Sequence, residues 1–188
     1  MKYVGRTTLA AIGALFTMAL PAVAQANSDK PAAEVTFGSS IGTHDLGIAK
    51  DVRAATGVDV KDRGGIFGGF IAVDFPVSDN LFIGAEGNGH VGNGAINSEY
   101  GGSARFGYRM DGGTKIYLRG GYQWVNIDYA EILNVPKNAL PAGLQNNFGE
   151  YLVGGGVEYP MGKITVRINV DTLGFDTIRT TAGIGLRF

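Results

Sequence analysis

The sequence predicts an all-β protein, an eight-stranded antiparallel up-and-down transmembrane β-barrel. Three observations predict it. Eight segments alternate apolar and polar residues with period two, the signature of strands with two unlike faces. One face of every segment is free of charge, while the other gathers acids and bases in near balance. Tight turns and longer connections alternate along the chain, which sends them to opposite ends of an up-and-down barrel.

Composition agrees and excludes other classes. Of 188 residues, 31 are Gly and 6 Pro, with no three-residue Gly period, so neither collagen nor a Pro-rich linker fits. Hydrophobic residues make up 45%, too many for a disordered polar chain. Net charge is −1, which gives no basis for nucleic-acid binding. Zero Cys and two His exclude thiol chemistry and leave too few ligands for a zinc cage. No metal and no cofactor is expected.

Residues 1–26 read as a secretory signal peptide. Lys2 and Arg6 form the basic start, Leu9 to Leu20 the apolar run, and Pro21 breaks it. Cleavage fits after Ala24 or after Ala26. The run is shorter than the roughly 17–25 residues of a membrane-spanning helix, which argues against an anchor. Residues 27–188 then form the barrel domain.

The first strand is expected at about 33–42, with Val35, Phe37, Ser39 and Ile41 on one face and Glu34 on the other. A long loop, 43–64, follows. Strand two, about 65–75, carries Phe67, Ile71, Val73 and Phe75 opposite Asp74. Pro76 to Asn80 is a tight turn of residues that turns favour. Strand three, about 81–92, sets Leu81, Ile83, Ala85 and Val91 against Glu86, Asn88 and His90. A short Gly92–Gly94 connection leads to strand four, about 97–110. There Tyr100, Ala104, Phe106 and Tyr108 oppose Glu99, Ser103, Arg105 and Arg109.

Asp111 to Thr114 turns the chain into strand five, about 115–128, where Ile116, Leu118, Tyr122 and Trp124 oppose Lys115, Arg119 and Gln123. A second long loop, 129–147, precedes strand six, about 148–159, with Tyr151, Val153, Val157 and Tyr159 opposite Glu150 and Glu158. Pro160 to Gly162 is the third tight turn. Strand seven, about 163–173, sets Ile164, Val166, Ile168 and Val170 against Lys163, Thr165, Arg167, Asn169 and Asp171. After Gly174–Asp176, strand eight, 177–188, sets Ile178, Ala182, Ile184, Leu186 and Phe188 against Arg179 and Arg187.

Alternation alone fits a soluble barrel as well. The placing of aromatics and charges favours a membrane. Phe75, Tyr108, Tyr159 and Phe188 collect near the turn end of the apolar face, and Phe67, Tyr100, Trp124 and Tyr151 near the loop end, as two interfacial belts would. Hydrocarbon tolerates no unpaired backbone polar group, so a spanning sheet must close. An eight-stranded barrel has an interior that side chains fill. The expected interior network is Glu34, Asp74, Glu86, Arg105, Arg109, Arg119, Glu150, Glu158, Arg167, Asp171, Arg179 and Arg187. A filled interior does not form a wide pore.

Catalytic constellations are weak. His90 sits on the inward face with Glu86 and Asn88 and reads as part of the polar network. His44 and Asp45 lie near Ser39 and Ser40 at the start of the first loop, a grouping frequent by chance. Gly84 to Gly89 lies within a strand and lacks the strand–turn–helix context of a phosphate cradle. No catalytic residue is assigned. Loop 43–64 carries mixed charge and reads as solvated, or as a contact for lipopolysaccharide or a partner. Loop 129–147 is richer in Leu, Val and Pro; it folds over the barrel mouth or touches another surface.

Several stretches carry a family resemblance. They are Phe67-Gly68-Gly69, Phe75 through Glu86, Tyr117-Leu118-Arg119-Gly120-Gly121-Tyr122, Val153 through Tyr159, and Ala182-Gly183-Ile184-Gly185-Leu186-Arg187-Phe188. With the signal peptide, they resemble the opacity-protein-like outer-membrane β-barrels of Gram-negative bacteria, also called porin-family or OmpA-like. Strand seven lacks the aromatics often found there in that family. The resemblance implies Sec-type export, an outer-membrane location with both termini periplasmic, and a monomer in contact with outer-membrane lipid and lipopolysaccharide. It also implies that Phe188 is the signal read by the barrel-assembly machinery. The expected role is structural or surface-interacting, through loops 43–64 and 129–147. A narrow low-conductance channel and, less well supported, a lipid-A-modifying enzyme are the alternatives.

Overall fold

The computed structural model describes residues 32–141 and 143–188; the expected signal peptide lies outside them. The strands are β1 (Glu34–Asp45), β2 (Arg63–Pro76), β3 (Leu81–Gly92), β4 (Ile96–Arg109), β5 (Lys115–Ile127), β6 (Asn147–Met161), β7 (Ile164–Leu173) and β8 (Thr177–Arg187). Each pairs antiparallel with its sequence neighbour, and β8 pairs with β1 to close the barrel. Closure leaves no strand edge unpaired. The register Phe37↔Leu186 and Val35↔Val73 carries the outward set continuously across the seam.

The faces fall as the alternation predicts. Ile41, Phe67, Leu118, Tyr151, Ile168 and Ile184 are exposed on the outside. Asp74, Glu86, Glu99, Arg105, Lys115, Arg119, Arg167 and Arg179 are buried within. A water-soluble protein has the opposite arrangement. The outward apolar wall and closed backbone together make this a transmembrane barrel.

Some boundaries move. β1 runs three residues beyond the expected end, to Asp45, because it pairs with Arg63–Gly65 of β2. The first long connection contains a helix, α1 (Ala49–Thr56). It ends at Gly57, whose φ of 72° suits a residue without a Cβ and whose N–H donates to the Arg53 carbonyl. The second contains a short helix, α2 (Tyr129–Leu133), capped by Asp128, whose side chain accepts from the N–H groups of Ala130 and Glu131. Both helices lie within the expected long loops, 43–64 and 129–147.

The interior also departs from a purely polar filling. Ile66, Ile96, Val125 and Leu173 point inward and form a buried apolar cluster at the loop end, with Leu46 and Ile127 packed against it. Ala130 and Ile132 of α2 are buried as well. The Lys61 N–H donates to the Ile132 carbonyl at 3.0 Å, and Asp128 N–H to the Ala95 carbonyl at 2.9 Å. These bonds tie the start of loop 129–147 to loop 43–64 and to the β3–β4 connection at the loop end of the barrel. Apolar burial, absent from the expected network, makes this cap.

Candidate functional site: the ion-paired lumen

Inward side chains from all eight strands meet in one ladder of ion pairs. At the turn end, Glu34 of β1 accepts from Lys115 of β5 and from Arg109 at 3.2 Å, and lies 3.6 Å from Arg187. Lys115 also donates to Asp74 at 2.6 Å and stands 3.5 Å from Glu158. Arg105 reaches Glu86 at 3.2 Å and Glu158 at 3.3 Å. Glu86 is the midpoint, accepting also from Arg119 at 2.6 Å and Arg167 at 2.5 Å.

Toward the loop end, Arg119 grips both oxygens of Asp171. Arg179 bridges Asp171 at 3.0 Å and Glu99 at 2.7 Å. Glu99 then meets two histidines, His44 at 2.9 Å and His90 at 3.3 Å. Ser40 pairs with His90 at 2.8 Å. Pairing is what makes these charges tolerable: an uncompensated ion in this interior would be strongly unfavourable.

Aromatic faces line the same lumen. The Arg105 guanidinium lies 4.0 Å from the Tyr117 ring centroid, and the Arg167 guanidinium lies 3.6 Å from that of Phe70. The Lys115 ammonium is 5.2 Å from the Phe82 centroid. Each cation thus has a π face as well as a carboxylate, a pairing that adds attraction where water is excluded.

Eleven of the predicted interior residues lie where expected: Glu34, Asp74, Glu86, Arg105, Arg109, Arg119, Glu158, Arg167, Asp171, Arg179 and Arg187 each make an ion pair with another member or with Lys115 or Glu99. Glu150 does not join them. It has the inward parity but stands exposed at the loop-side rim, two residues before buried Leu152, where the wall rises beyond the filled lumen. Lys163 is likewise exposed, beside the Gly162 turn.

Phe188 is exposed on the outer surface, its ring stacked on Phe37 at 5.5 Å, and its N–H donates to the Val35 carbonyl. The inward aromatics Phe70, Phe82 and Tyr117 join the lumen beyond the expected network, and His44, expected at the start of the first loop, lies within β1. The parity of Ser40, Gly42 and His44 was the available signal for His44.

The serine–histidine–aspartate grouping is not assembled. Ser39 faces outward, Ser40 faces His90, His44 faces Glu99, and Asp45 pairs with Arg63 at the rim. Glu34, Asp74 and Glu158 bring carboxylate oxygens within 4.8 Å of one another, as a cation site would. The Lys115 ammonium lies among them and already supplies the positive charge.

A closed eight-stranded barrel, apolar outside and ion-paired inside, defines the class of small outer-membrane-type β-barrels. The N-terminal β-barrel domain of Pseudomonas aeruginosa OprF is similar in structure, with a TM-score of 0.51 at 13% identity, covering 82% of this chain and 97% of that one. Ail, the attachment invasion locus protein of Yersinia pestis, is similar with a TM-score of 0.50 at 12% identity, covering 83% and 97%. These likenesses support the OmpA-like barrel fold. No family model and no curated protein matches the chain.

Proposed function

We propose that the chain is an integral outer-membrane β-barrel protein with a structural or surface-interaction role and no catalytic activity. Loops 43–64 and 129–147 face outward from the cell, and both ends of the barrel chain are periplasmic. The protein is exported by the Sec route, read at Phe188 by the barrel-assembly machinery, and works as a monomer among outer-membrane lipid and lipopolysaccharide. Kinship with the opacity-like group is part of this reading.

The observation that carries it is the uninterrupted ladder from Glu34 to Glu99 beneath the apolar cap of Ile66, Ile96, Val125 and Leu173. An interior so filled favours a scaffold for loops over a solute channel. The test has two arms. Membrane fractions should contain a form whose gel mobility changes on boiling, as a detergent-resistant barrel's does. The purified barrel in planar bilayers should give no steady openings. A soluble protein with boiling-independent mobility would overturn the barrel reading, and steady openings altered by Arg105 or Arg119 substitution would replace the scaffold with a channel.

A further inference from the structure

The outward glycines of β3, β4 and β5 behave unlike those that face the lumen. At inward Gly38, Gly68 and Gly121, an added Cβ would run into the carbonyl oxygen of the neighbouring strand, so the barrel itself requires glycine. At outward Gly87, Gly89, Gly102 and Gly120, the nearest atom to an added Cβ is 3.8, 4.0, 3.5 and 3.8 Å away, ordinary contact. Nothing inside the protein demands glycine there. Glycine in a strand forfeits backbone order and side-chain packing, and it often marks close approach by something else.

These positions are contiguous. Gly87 pairs with Gly102, and Ala85 with Ala104, which pairs in turn with Gly120. Ala85, Ala104 and Gly120 floor a depression of 740 Å³ on the outer wall, and Gly87 and Gly102 form the next outward row on its loop side. Phe75, Ile83, Phe106 and Leu118 wall it on the turn side. On the loop side stands an aromatic group: Tyr100 stacks on Trp124 at 5.4 Å, and Tyr122 meets Trp124 and Tyr151 edge-on at 4.8 and 5.5 Å.

We infer that this depression holds an acyl chain of a membrane lipid whose polar head lies at the loop-side interface. The inference rests on the membrane-spanning reading of the barrel. The lining is apolar, it lies between the two aromatic belts where lipid tails run, and the loop-side belt next to it carries three tyrosines, residues that favour the headgroup level. A second copy of the barrel fits worse. Two concave faces brought together about a two-fold axis would enclose a void, and voids forfeit contacts.

Trp124 is the chain's single Trp and reports on the site directly. The full barrel domain is refolded into phosphatidylcholine vesicles containing a rising fraction of chain-brominated phosphatidylcholine, and Trp124 fluorescence is recorded. Wild type should be quenched more than the filled variant Ala104→Leu/Gly120→Leu at each intermediate fraction. Ala182→Leu, on the β7–β8 wall, should keep the wild-type excess. Superimposed curves for wild type and the filled variant would overturn the proposal.

Boiling-dependent gel mobility checks folding of each variant; should the leucine pair fail to fold, Ala104→Val/Gly120→Ala is read the same way. With no native Cys, Gly102→Cys tests the competing occupant, and a disulfide-linked dimer under mild oxidant would assign the face to a second copy and overturn the lipid. Absence of quenching in every arm would overturn the membrane reading itself, and this inference with it.

Discussion

Arg119 and Asp171 meet inside the lumen, from β5 and β7 on either side of β6, in a two-toothed pair: Nε donates to one carboxylate oxygen at 2.6 Å and a terminal nitrogen to the other at 2.5 Å. The strands are not neighbours, so the pair links them past β6, beyond what the backbone ladder joins. Planar, double hydrogen bonding of this kind is specific to arginine. Arg119→Leu would leave Asp171 with Arg179 alone and Glu86 with two of its three arginines. Removing one partner of a buried pair costs about 3–5 kcal/mol. Urea unfolding of the vesicle-inserted barrel should report a loss of that order, and Arg119→Lys should recover only part of it.

The outer wall obeys the opposite chemistry. Ile168 is exposed in the apolar band of β7, between inward Arg167 and Asn169. Ile168→Arg places a charge against hydrocarbon and should cost about 2–4 kcal/mol near mid-bilayer. Thr165→Val, buried and inward, should cost far less. Equal losses in the same unfolding assay would contradict the face assignment.

Period-two alternation made the barrel legible because it is a local property: Val166, Ile168 and Val170 alternate with Arg167, Asn169 and Asp171 whatever the rest of the chain does. Charge on one face alone likewise named most of the ladder. The pairing within it was not legible, since Glu86 meets arginines from β4, β5 and β7 that shear and closure bring together. Glu150 was misplaced because parity says which way a side chain points and not how high the filled lumen reaches. Phe70, Phe82 and Tyr117 were passed over because an apolar residue within an apolar run carries no mark of facing cations.

Glycine substitutions should separate by face. Gly120→Ala adds a methyl into ordinary contact and removes backbone freedom from the unfolded chain, so it should stabilise by about 0.4–1 kcal/mol. Gly68→Ala drives a methyl into the Gly89 carbonyl and should destabilise by more than that, or block folding. The unfolding midpoints of the two variants should therefore move in opposite directions. A common direction would mean that the two faces do not differ in packing.

The cap on the barrel mouth has an acid-sensitive latch. Asp128 caps α2 through the N–H groups of Ala130 and Glu131, and its carboxylate accepts from Lys137 at 2.9 Å. The Lys137 ammonium, aided by those two N–H groups, holds the carboxyl below the usual aspartate range against the opposing effect of burial. A group with its folded value depressed stabilises the latched state above its unfolded value and loses that contribution as pH falls through the folded one. Loop 129–147 should thus stay protected at neutral pH and open in strong acid, before the strands unfold. Asp128→Ala should weaken the latch at neutral pH by about 0.5–2 kcal/mol, the range for losing a helix cap. Amide exchange at Ala130, Glu131 and Ile132 reads both effects: it should speed up in the variant at neutral pH and in wild type on acidification, while β5 amides stay protected. Unchanged exchange in the variant would mean that Asp128 does not hold the cap.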